Sequence, residues 1–201
     1  MEIKAIEVVG FASAFKALRL PYGLDTRSDI ETHFYGGEYN GKKIFDNSSE
    51  CTFDDKDVAL MSTLIKRGDE HAKPMRGVLA YADIIAPIDF WCELETYEKG
   101  RQRLFSGSTM HEEGRGLSGH ALREAIHKIP YDRPIRKIDF FSYQCLRNIV
   151  AQRYDHRKAE WHFFIEWIKA LPFADELILV GMGDKITIHN EYMRKYNANE
   201  I

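Results

Sequence analysis

The segment "GVLAYADIIAP" at positions 77–87 restricts the fold of this chain more than any other feature. It is rich in β-forming residues and ends at Pro87, and proline is favoured as the first residue of a helix. The sequence therefore predicts a strand that leads directly into a helix extending to about Lys99. Residues 2–9 alternate β-forming and polar positions and predict a second strand that ends at Gly10.

Helical periodicity recurs along the rest of the chain. The predicted helices cover about 54–67, 119–128, 139–153 and 156–170. Asp54 or Asp55 can cap the first of these and Ser118 the second, and the prolines at 130 and 134 predict a linker. The run "ELILVG" (176–181) indicates a late strand. The pattern is typical of a single α+β domain over 1–201, with a central antiparallel or mixed sheet and long helices.

Between Leu20 and Thr52 the pattern weakens into proline, glycine, asparagine and aspartate with scattered aromatic residues. This composition predicts a long ordered loop or an inserted hairpin, because Asn40-Gly41 has the chemistry of a tight hairpin turn.

Bulk properties exclude several classes of protein. The net charge of −3 argues against nucleic-acid binding over the whole surface. Three widely spaced cysteines without a CxxC motif favour neither a disulfide framework nor a zinc knuckle. No apolar run approaches the roughly 20 residues that span a bilayer, and the N-terminus lacks the features of a secretory signal. We expect a cytoplasmic protein that does not bind membranes.

The stretch "LETYEKGRQRLFSGSTMH" (94–111) places two arginines before a turn rich in hydroxyl groups. Arg101 and Arg103 followed by Ser106 and Ser108 suit a phosphate, because guanidinium forks and hydroxyl groups can bind the same oxygens. The preceding helix end carries carboxylates, which can orient the arginines or accept hydrogen bonds from a ligand. A solvated polar loop is the alternative interpretation.

Two blocks of this sequence resemble the flavin-dependent thymidylate synthases. In "LIKRGDEHAKPMRGVLAYADIIAPIDFWCELETYEKGRQRLFSGS", the resemblance lies in a helix, a turn, a strand and an Ala-Pro that begins the next helix. Counted from that Ala-Pro, the family's Arg-His-Arg signature falls on Thr96, Tyr97 and Glu98, and its serine on Ser106. The second block, "LRNIVAQRYDHRKAEW", has Asn148 and Arg153 at the family's asparagine and arginine positions. The resemblance covers about 55–170.

The resemblance implies an enzyme that transfers a one-carbon unit from methylenetetrahydrofolate to C5 of dUMP, using FAD and NADPH. It also implies a homotetramer whose sites are shared between subunits. By resemblance, Arg153 and Ser106 are the catalytic candidates. Thr96, Tyr97 and Asn148 are the cofactor-binding candidates. Arg101, Arg103, Ser108 and Arg153 are the substrate-binding candidates, with Arg153 facing the pyrimidine.

Glu98 places a carboxylate where the family places a cation, and like charges repel at a phosphate site. We therefore expect weak or substoichiometric FAD binding. Two alternatives follow from this change: a divergent enzyme acting on another pyrimidine nucleotide, or a non-catalytic oligomer that binds a nucleotide.

An apolar stripe at helical spacing and several histidines complete the candidate features. Trp161, Phe164, Ile165 and Ile168 recur at i, i+3, i+4 and i+7, which suits a core or a partner helix. The stripe offers more apolar surface than one small domain readily buries, which favours an oligomer. The histidines match no ligand pattern closely, so we expect no metal.

Overall fold

The segment at 77–87 forms a strand in the middle of a four-stranded antiparallel sheet. The computed structural model describes residues 1–23, 30–39, 42–51 and 54–200. The strands are β1 (Glu2–Val9), β2 (Ile30–Tyr39), β3 (Lys42–Cys51), β4 (Leu79–Pro87), β5 (Arg101–Ser106) and β6 (Pro134–Ser142). The helices are α1 (Phe11–Arg19), α2 (Asp55–Lys66), α3 (Ile88–Leu94), α4 (Thr109–Glu112), α5 (Gly119–His127), α6 (Tyr143–Arg153), α7 (Ala159–Lys169) and α8 (Gly183–Asn197). The predicted α+β class is confirmed.

The sheet has the strand order β1-β4-β6-β5 and buries one of its two faces. In β4, Ala80, Ala82 and Ile84 alternate with partly exposed residues and have no exposed surface. On β6 the same face carries Asp139 and Phe141, both fully buried. Alternate residues of a strand point to opposite faces, so the helices that cover this face bury a carboxylate together with the apolar core.

The apolar stripe of α7 belongs to the core of the single chain. Trp161, Phe164, Ile165 and Ile168 are fully buried, and the ring of Phe164 lies 5.4 Å from that of Phe141 on the sheet. The expectation that this stripe offers spare apolar surface to an oligomer is therefore wrong. One domain buries all of it.

Helix starts follow the predicted capping chemistry in part. Asp54 precedes α2, and its side chain accepts a hydrogen bond of 2.7 Å from the backbone N–H of Lys56. Ser118 precedes α5 as predicted, but its side chain makes no capping hydrogen bond. Ser142 caps α6 by accepting from the N–H of Cys145. Side-chain oxygens at these positions satisfy N–H groups that the first helical turn leaves free.

One predicted helix end and three predicted elements differ from the structure. Helix α3 ends at Leu94, and the residues 101–106, interpreted as a loop, form β5. Residues 134–142, interpreted as a linker and the start of a helix, form β6. The predicted late strand at 176–181 is wrong as well, because Ala174–Ile178 forms a π-helical turn.

The inserted hairpin is present as two antiparallel strands. Strands β2 and β3 pair from Ile30↔Cys51 to Tyr39↔Lys42. The predicted turn at Asn40-Gly41 lies outside the described residues. No helix in the described part of the chain is long and apolar enough to cross a membrane.

Candidate functional site

An open cleft of about 280 Å³ lies between the turn that follows α3 and one face of α6. Its walls are Thr96, Tyr97, Glu98, Lys99, Cys145, Asn148 and Gln152. All three positions that match the Arg-His-Arg signature therefore line the same cavity as Asn148. Two segments that are far apart in the sequence form opposite walls of one cleft.

Gly100 allows the turn to lie against the start of α6. Its φ of 80° is a left-handed conformation that side chains rarely adopt. A Cβ at this position would lie 2.3 Å from Oγ of Ser142. The backbone carbonyl of Gly100 accepts a hydrogen bond of 2.6 Å from the N–H of Ser142. The glycine therefore fixes the distance between the two walls of the cleft.

Arg153 and Tyr97 are in direct contact beside the cleft. Nε of Arg153 donates a hydrogen bond of 2.8 Å to the hydroxyl of Tyr97, which donates in turn to Gln152 at 3.0 Å. The Arg153 guanidinium lies 4.5 Å from the ring centroid of Trp161, within the range of a cation–π contact. Its side chain is 21% exposed. Arg153 is thus held at the edge of the packed interior, where the sequence places it.

Glu93 lies next to Arg153, and the sequence analysis did not select it as a site residue. Its carboxylate accepts hydrogen bonds from Nζ of Lys158 (2.6 Å) and Nε1 of Trp161 (2.7 Å), and it lies 3.7 Å from Nη1 of Arg153. Burial alone would raise the pKa of Glu93, but hydrogen bonds from Lys158 and Trp161 outweigh burial and lower it. A carboxylate that stays ionised keeps a counter-charge next to Arg153.

Asn148 keeps part of its hydrogen-bonding capacity for a ligand. Its Oδ1 accepts a hydrogen bond of 3.3 Å from Nε2 of Gln144, one turn earlier on α6. Among the described residues, nothing pairs with the amide nitrogen of Asn148. Because the side chain lines the cleft, this N–H₂ group is available to a bound molecule.

Arg101 and Arg103 lie on the buried face of β5, where they meet carboxylates. Arg101 is 5% exposed, and its Nε donates 2.7 Å to Oδ2 of the fully buried Asp139. Arg103 forms an ion pair with Glu95 and lies 3.7 Å from Oδ1 of Asp139. The Arg101 guanidinium is therefore paired with Asp139, and we do not propose Arg101 as a phosphate ligand. The structure gives Arg101 an internal partner.

Lys137 completes this group and was missed by the sequence analysis. We call Glu95, Arg101, Arg103, Lys137 and Asp139 the β5–β6 charge cluster. The ammonium group of Lys137 lies 4.6 Å from the ring centroid of Trp91 and 3.5 Å from Oε1 of Glu95. Burial, followed by the positive charge of Arg103, lowers the pKa of Lys137 to about 8. In the sequence, the spacing of Lys137, Asp139 and Phe141 at every second position could have shown that these residues share one face of a strand.

Ser106 and Ser108 lie away from the cleft. Ser106 is the last residue of β5, opposite Lys137 in the register, and its hydroxyl donates to the carbonyl of Gly107 at 2.9 Å. It lies five positions after Arg101 on the strand, or roughly 16 Å at about 3.3 Å per residue. Ser108 lies beyond the strand and precedes α4. The candidate residues thus fall into the cleft, the charge cluster and this distal turn.

Comparison with known proteins gives a result for the fold. No family model matches the sequence, and no curated protein shows significant sequence similarity to it. Among solved structures, thymidylate synthase X (ThyX) from Helicobacter pylori with FAD and dUMP matches with a TM-score of 0.61 at 14% identity. The match covers 89% of this chain and 97% of that one. This protein has a ThyX-like fold.

A second structure of the flavin-dependent thymidylate synthase ThyX from Helicobacter pylori, complexed with FAD and dUMP, gives the same TM-score and identity. It covers 98% of the ThyX chain, so the similarity extends over a whole ThyX subunit. The residues of the cleft belong to the region of the chain that carried the sequence resemblance. Among the described residues, no group of three or more histidine, cysteine, aspartate or glutamate side chains could hold a metal ion.

Proposed function

We propose that this protein is a nucleotide-modifying enzyme similar to the flavin-dependent thymidylate synthases and that its cleft binds a pyrimidine nucleotide. The observation that carries the proposal is the cleft itself. The two blocks that resemble the family's ligand-binding segments form its opposite walls, in a fold shared with ThyX structures that contain FAD and dUMP. One-carbon transfer to C5 of a dUMP-like substrate is the corresponding reaction. Methylenetetrahydrofolate would be the donor and NADPH the reductant.

The lining residues fit the polar rings of a flavin or a base better than they fit a pyrophosphate. Thr96, Tyr97 and Asn148 offer hydroxyl and amide groups to ring carbonyls and nitrogens. Among the described residues, Lys99 is the one cation that lines the cleft, and Glu98 beside it opposes a phosphate. The volume of about 280 Å³ lies just below the range of about 300–1,000 Å³ for small-molecule sites. One chain thus holds part of a flavin, and a homotetramer with shared sites would supply the rest.

Arg153 has the position of a base-binding residue in this scheme. The hydroxyl of Tyr97 fixes Nε, and Trp161 supports the guanidinium plane. The remaining N–H groups can donate to a pyrimidine carbonyl and so stabilise the enolate-like negative charge that makes C5 nucleophilic. When bound, reduced flavin would supply the hydride chemistry. The protein orients the pyrimidine and stabilises that charge.

A second candidate function is favoured by the charges around the cleft. Glu98 lines the cavity, and Asp139 binds the Arg101 guanidinium, which the sequence pattern predicts as a phosphate ligand. This arrangement favours a divergent homologue with another pyrimidine nucleotide as substrate. A non-catalytic oligomer that binds a nucleotide is consistent with the same charges.

Flavin and nucleotide titrations distinguish these functions. We expect weak, substoichiometric FAD binding by calorimetry and a pale yellow protein, because the cleft offers one cation for two phosphates. A dUMP titration should show saturable binding in the same instrument. Saturable dUMP binding without any FAD binding would favour the non-catalytic oligomer that binds a nucleotide. A protein that binds neither FAD nor a pyrimidine nucleotide would contradict the proposal.

Arg153→Lys tests the base-binding role. We expect nucleotide affinity to fall by about 1.5–3 kcal/mol, the range of a charge-assisted hydrogen bond, because an ammonium group cannot replace two parallel N–H donors. Calorimetry with dUMP measures the change. Arg157→Lys is the matched control, since Arg157 is exposed nearby on the loop after α6. Equal nucleotide affinity in both variants would assign Arg153 to the structural contacts with Glu93 and Tyr97 alone.

A further inference from the structure

The β5–β6 charge cluster contains more positive than negative charge although most of it is buried. Three cations, Arg101, Arg103 and Lys137, face two carboxylates, Glu95 and Asp139. Isolated buried charge is costly, so charges in protein interiors are usually paired. The Asp139 carboxylate pairs mainly with Arg101. Arg103 and Lys137 therefore depend on Glu95 for the rest of their neutralisation.

Glu95 is a loosely held partner for these two cations. Its side chain is 46% exposed, whereas that of Lys137 is 10% exposed. Glu95 is also the C-cap residue directly after α3, and the carboxyl end of a helix disfavours a negative charge. Both properties make Glu95 easier to displace than Asp139. Its carboxylate occupies the position that an anionic ligand would take.

Several polar atoms of the cluster have no hydrogen-bond partner within the described part of the chain. Nε of Arg103 is a buried N–H donor without an acceptor in hydrogen-bond geometry, and Oδ1 of Asp139, 3.7 Å away, also lacks a hydrogen bond. Nη2 of Arg101 lacks hydrogen-bond geometry too, but it forms an ion pair with Oδ2 of Asp139. The side chain of Arg101 is more than nine-tenths buried. Buried donors are rarely left without an acceptor in native proteins. Nε of Arg103 therefore has a free N–H that could donate to an additional oxygen ligand.

The cluster adjoins the cleft. Glu95 directly precedes Thr96 on the cleft wall, and Arg101 directly follows the turn at Gly100. A ligand whose base lies in the cleft can therefore place a phosphate towards Arg103 and Lys137.

We propose that Arg103 and Lys137 form an oxyanion subsite for the phosphate of the nucleotide in the cleft, and that Glu95 occupies this subsite in the free protein. The proposal rests on the proposed function for the identity of the nucleotide. The phosphate displaces the Glu95 carboxylate into solvent and accepts hydrogen bonds from both cations. The ring of Trp91, beneath Lys137 and 5.9 Å from the Arg103 guanidinium, closes the other side.

Sulfate is the first probe, because its charge is constant between pH 6 and 9. We expect Glu95→Gln to raise sulfate affinity about tenfold and Lys137→Gln to lower it about tenfold, the effect of one charge-assisted hydrogen bond. Isothermal titration at constant ionic strength measures both. Glu124→Gln, an exposed carboxylate on α5, is the control for net charge and should leave the affinity unchanged.

The pH dependence of sulfate binding gives a second readout. The groups that face Lys137 are Glu95, Arg101, Arg103, Asp139 and Cys92. Because its pKa is about 8, Lys137 loses its proton between pH 7 and 9. Sulfate affinity should therefore fall over this range in the wild type and stay constant in Lys137→Gln. Glu95→Gln keeps the test valid if the lysine variant does not fold, since it changes a half-exposed side chain.

Two nucleoside ligands separate this proposal from the function of the cleft. In the wild type, dUMP should bind more tightly than deoxyuridine, and the ratio of the two affinities should approach one in Lys137→Gln. Equal sulfate affinity in the wild type, Glu95→Gln and Lys137→Gln would overturn the subsite, whatever the cleft binds. The expected sulfate response without any nucleoside binding would contradict the proposed function and retain the oxyanion subsite.

Discussion

Asp139→Asn is expected to lower the free energy of unfolding by about 3–5 kcal/mol. Asp139 is fully buried on β6 and pairs with Arg101, whose side chain is 5% exposed. Asparagine keeps the shape of the side chain but removes its charge, so the Arg101 guanidinium remains buried without its main counter-ion. Urea unfolding followed by circular dichroism measures the loss.

Two further variants test whether the loss of stability comes from the buried ion pair between Asp139 and Arg101. Asp83→Asn is the matched control, because Asp83 lies on the neighbouring strand β4 but pairs with the exposed Arg136 on the opposite face of the sheet. It should change stability little, since exposed ion pairs contribute little. The double variant Arg101→Met with Asp139→Leu should recover most of the loss, because apolar pairs often replace buried ion pairs without cost. A stable Asp139→Asn protein would show that Glu95 alone neutralises Arg101.

The buried ion pair also explains why β5 was predicted as a loop. Strands with one buried face usually alternate apolar and polar residues. On β5 the inward positions are Arg101 and Arg103, and the exposed Leu104 and Phe105 lie near a register shift. The sequence therefore shows the opposite of the usual alternation. The main partner of the inward Arg101 is Asp139 on the neighbouring strand, which is far away in the sequence.

The late strand was wrong for a different reason. The run 176–181 has the composition of a buried strand, and a short apolar run does not distinguish a strand from a helical turn. In the structure, Nη1 of Arg147 donates hydrogen bonds to the carbonyls of Ile178 (2.7 Å) and Val180 (2.8 Å). A side chain of α6 thus satisfies backbone groups that a neighbouring strand would otherwise satisfy. This tertiary contact cannot be found from local composition.

Part of the candidate site was accessible from the sequence. Tyr97, Asn148 and Arg153 were selected because they lie in two blocks that resemble one family, and the structure brings these residues together around one cleft. Lys137 and Glu93 were missed because each acts through a partner on another element. The sequence identified which segments meet, but not how their charges are paired.

Acid should destabilise this protein through a buried histidine pair between α7 and α8. His162 and His189 have no exposed surface, and their Nδ1 atoms lie 2.9 Å apart. Nε2 of His162 lies 2.7 Å from the carbonyl of His156, and Nε2 of His189 lies 2.7 Å from Oε1 of Glu166. When each of these three contacts is a hydrogen bond, each contains one proton, so the four ring nitrogens carry three protons in total. Two histidines that are both charged carry four, and the fourth proton would place two N–H groups against each other.

The sign of the pH effect follows from this proton count. Burial lowers the pKa of His162 and of His189, although Glu166 opposes the effect at His189. Below an unfolded pKa of about 6.5 the unfolded chain takes up two protons at these residues, whereas the folded pair accepts at most one. The unfolded state therefore binds more protons, and stability falls as the pH falls. One excess proton corresponds to about 1.4 kcal/mol per pH unit.

His162→Gln should weaken this dependence. The variant leaves His189 as the one buried histidine of the pair. Burial still lowers the pKa of His189, with Glu166 opposing the effect, so the unfolded chain takes up at most one excess proton there instead of as many as two at the pair. The slope of unfolding free energy against pH between 6.5 and 5, from urea titrations, should decrease by about 1.4 kcal/mol per unit relative to the wild type. His120→Gln is the control, because that ring is exposed on α5, and it should keep the wild-type slope. Identical slopes in His162→Gln and the wild type would show that His162 adds no excess proton to the unfolded state, which would contradict its lowered pKa.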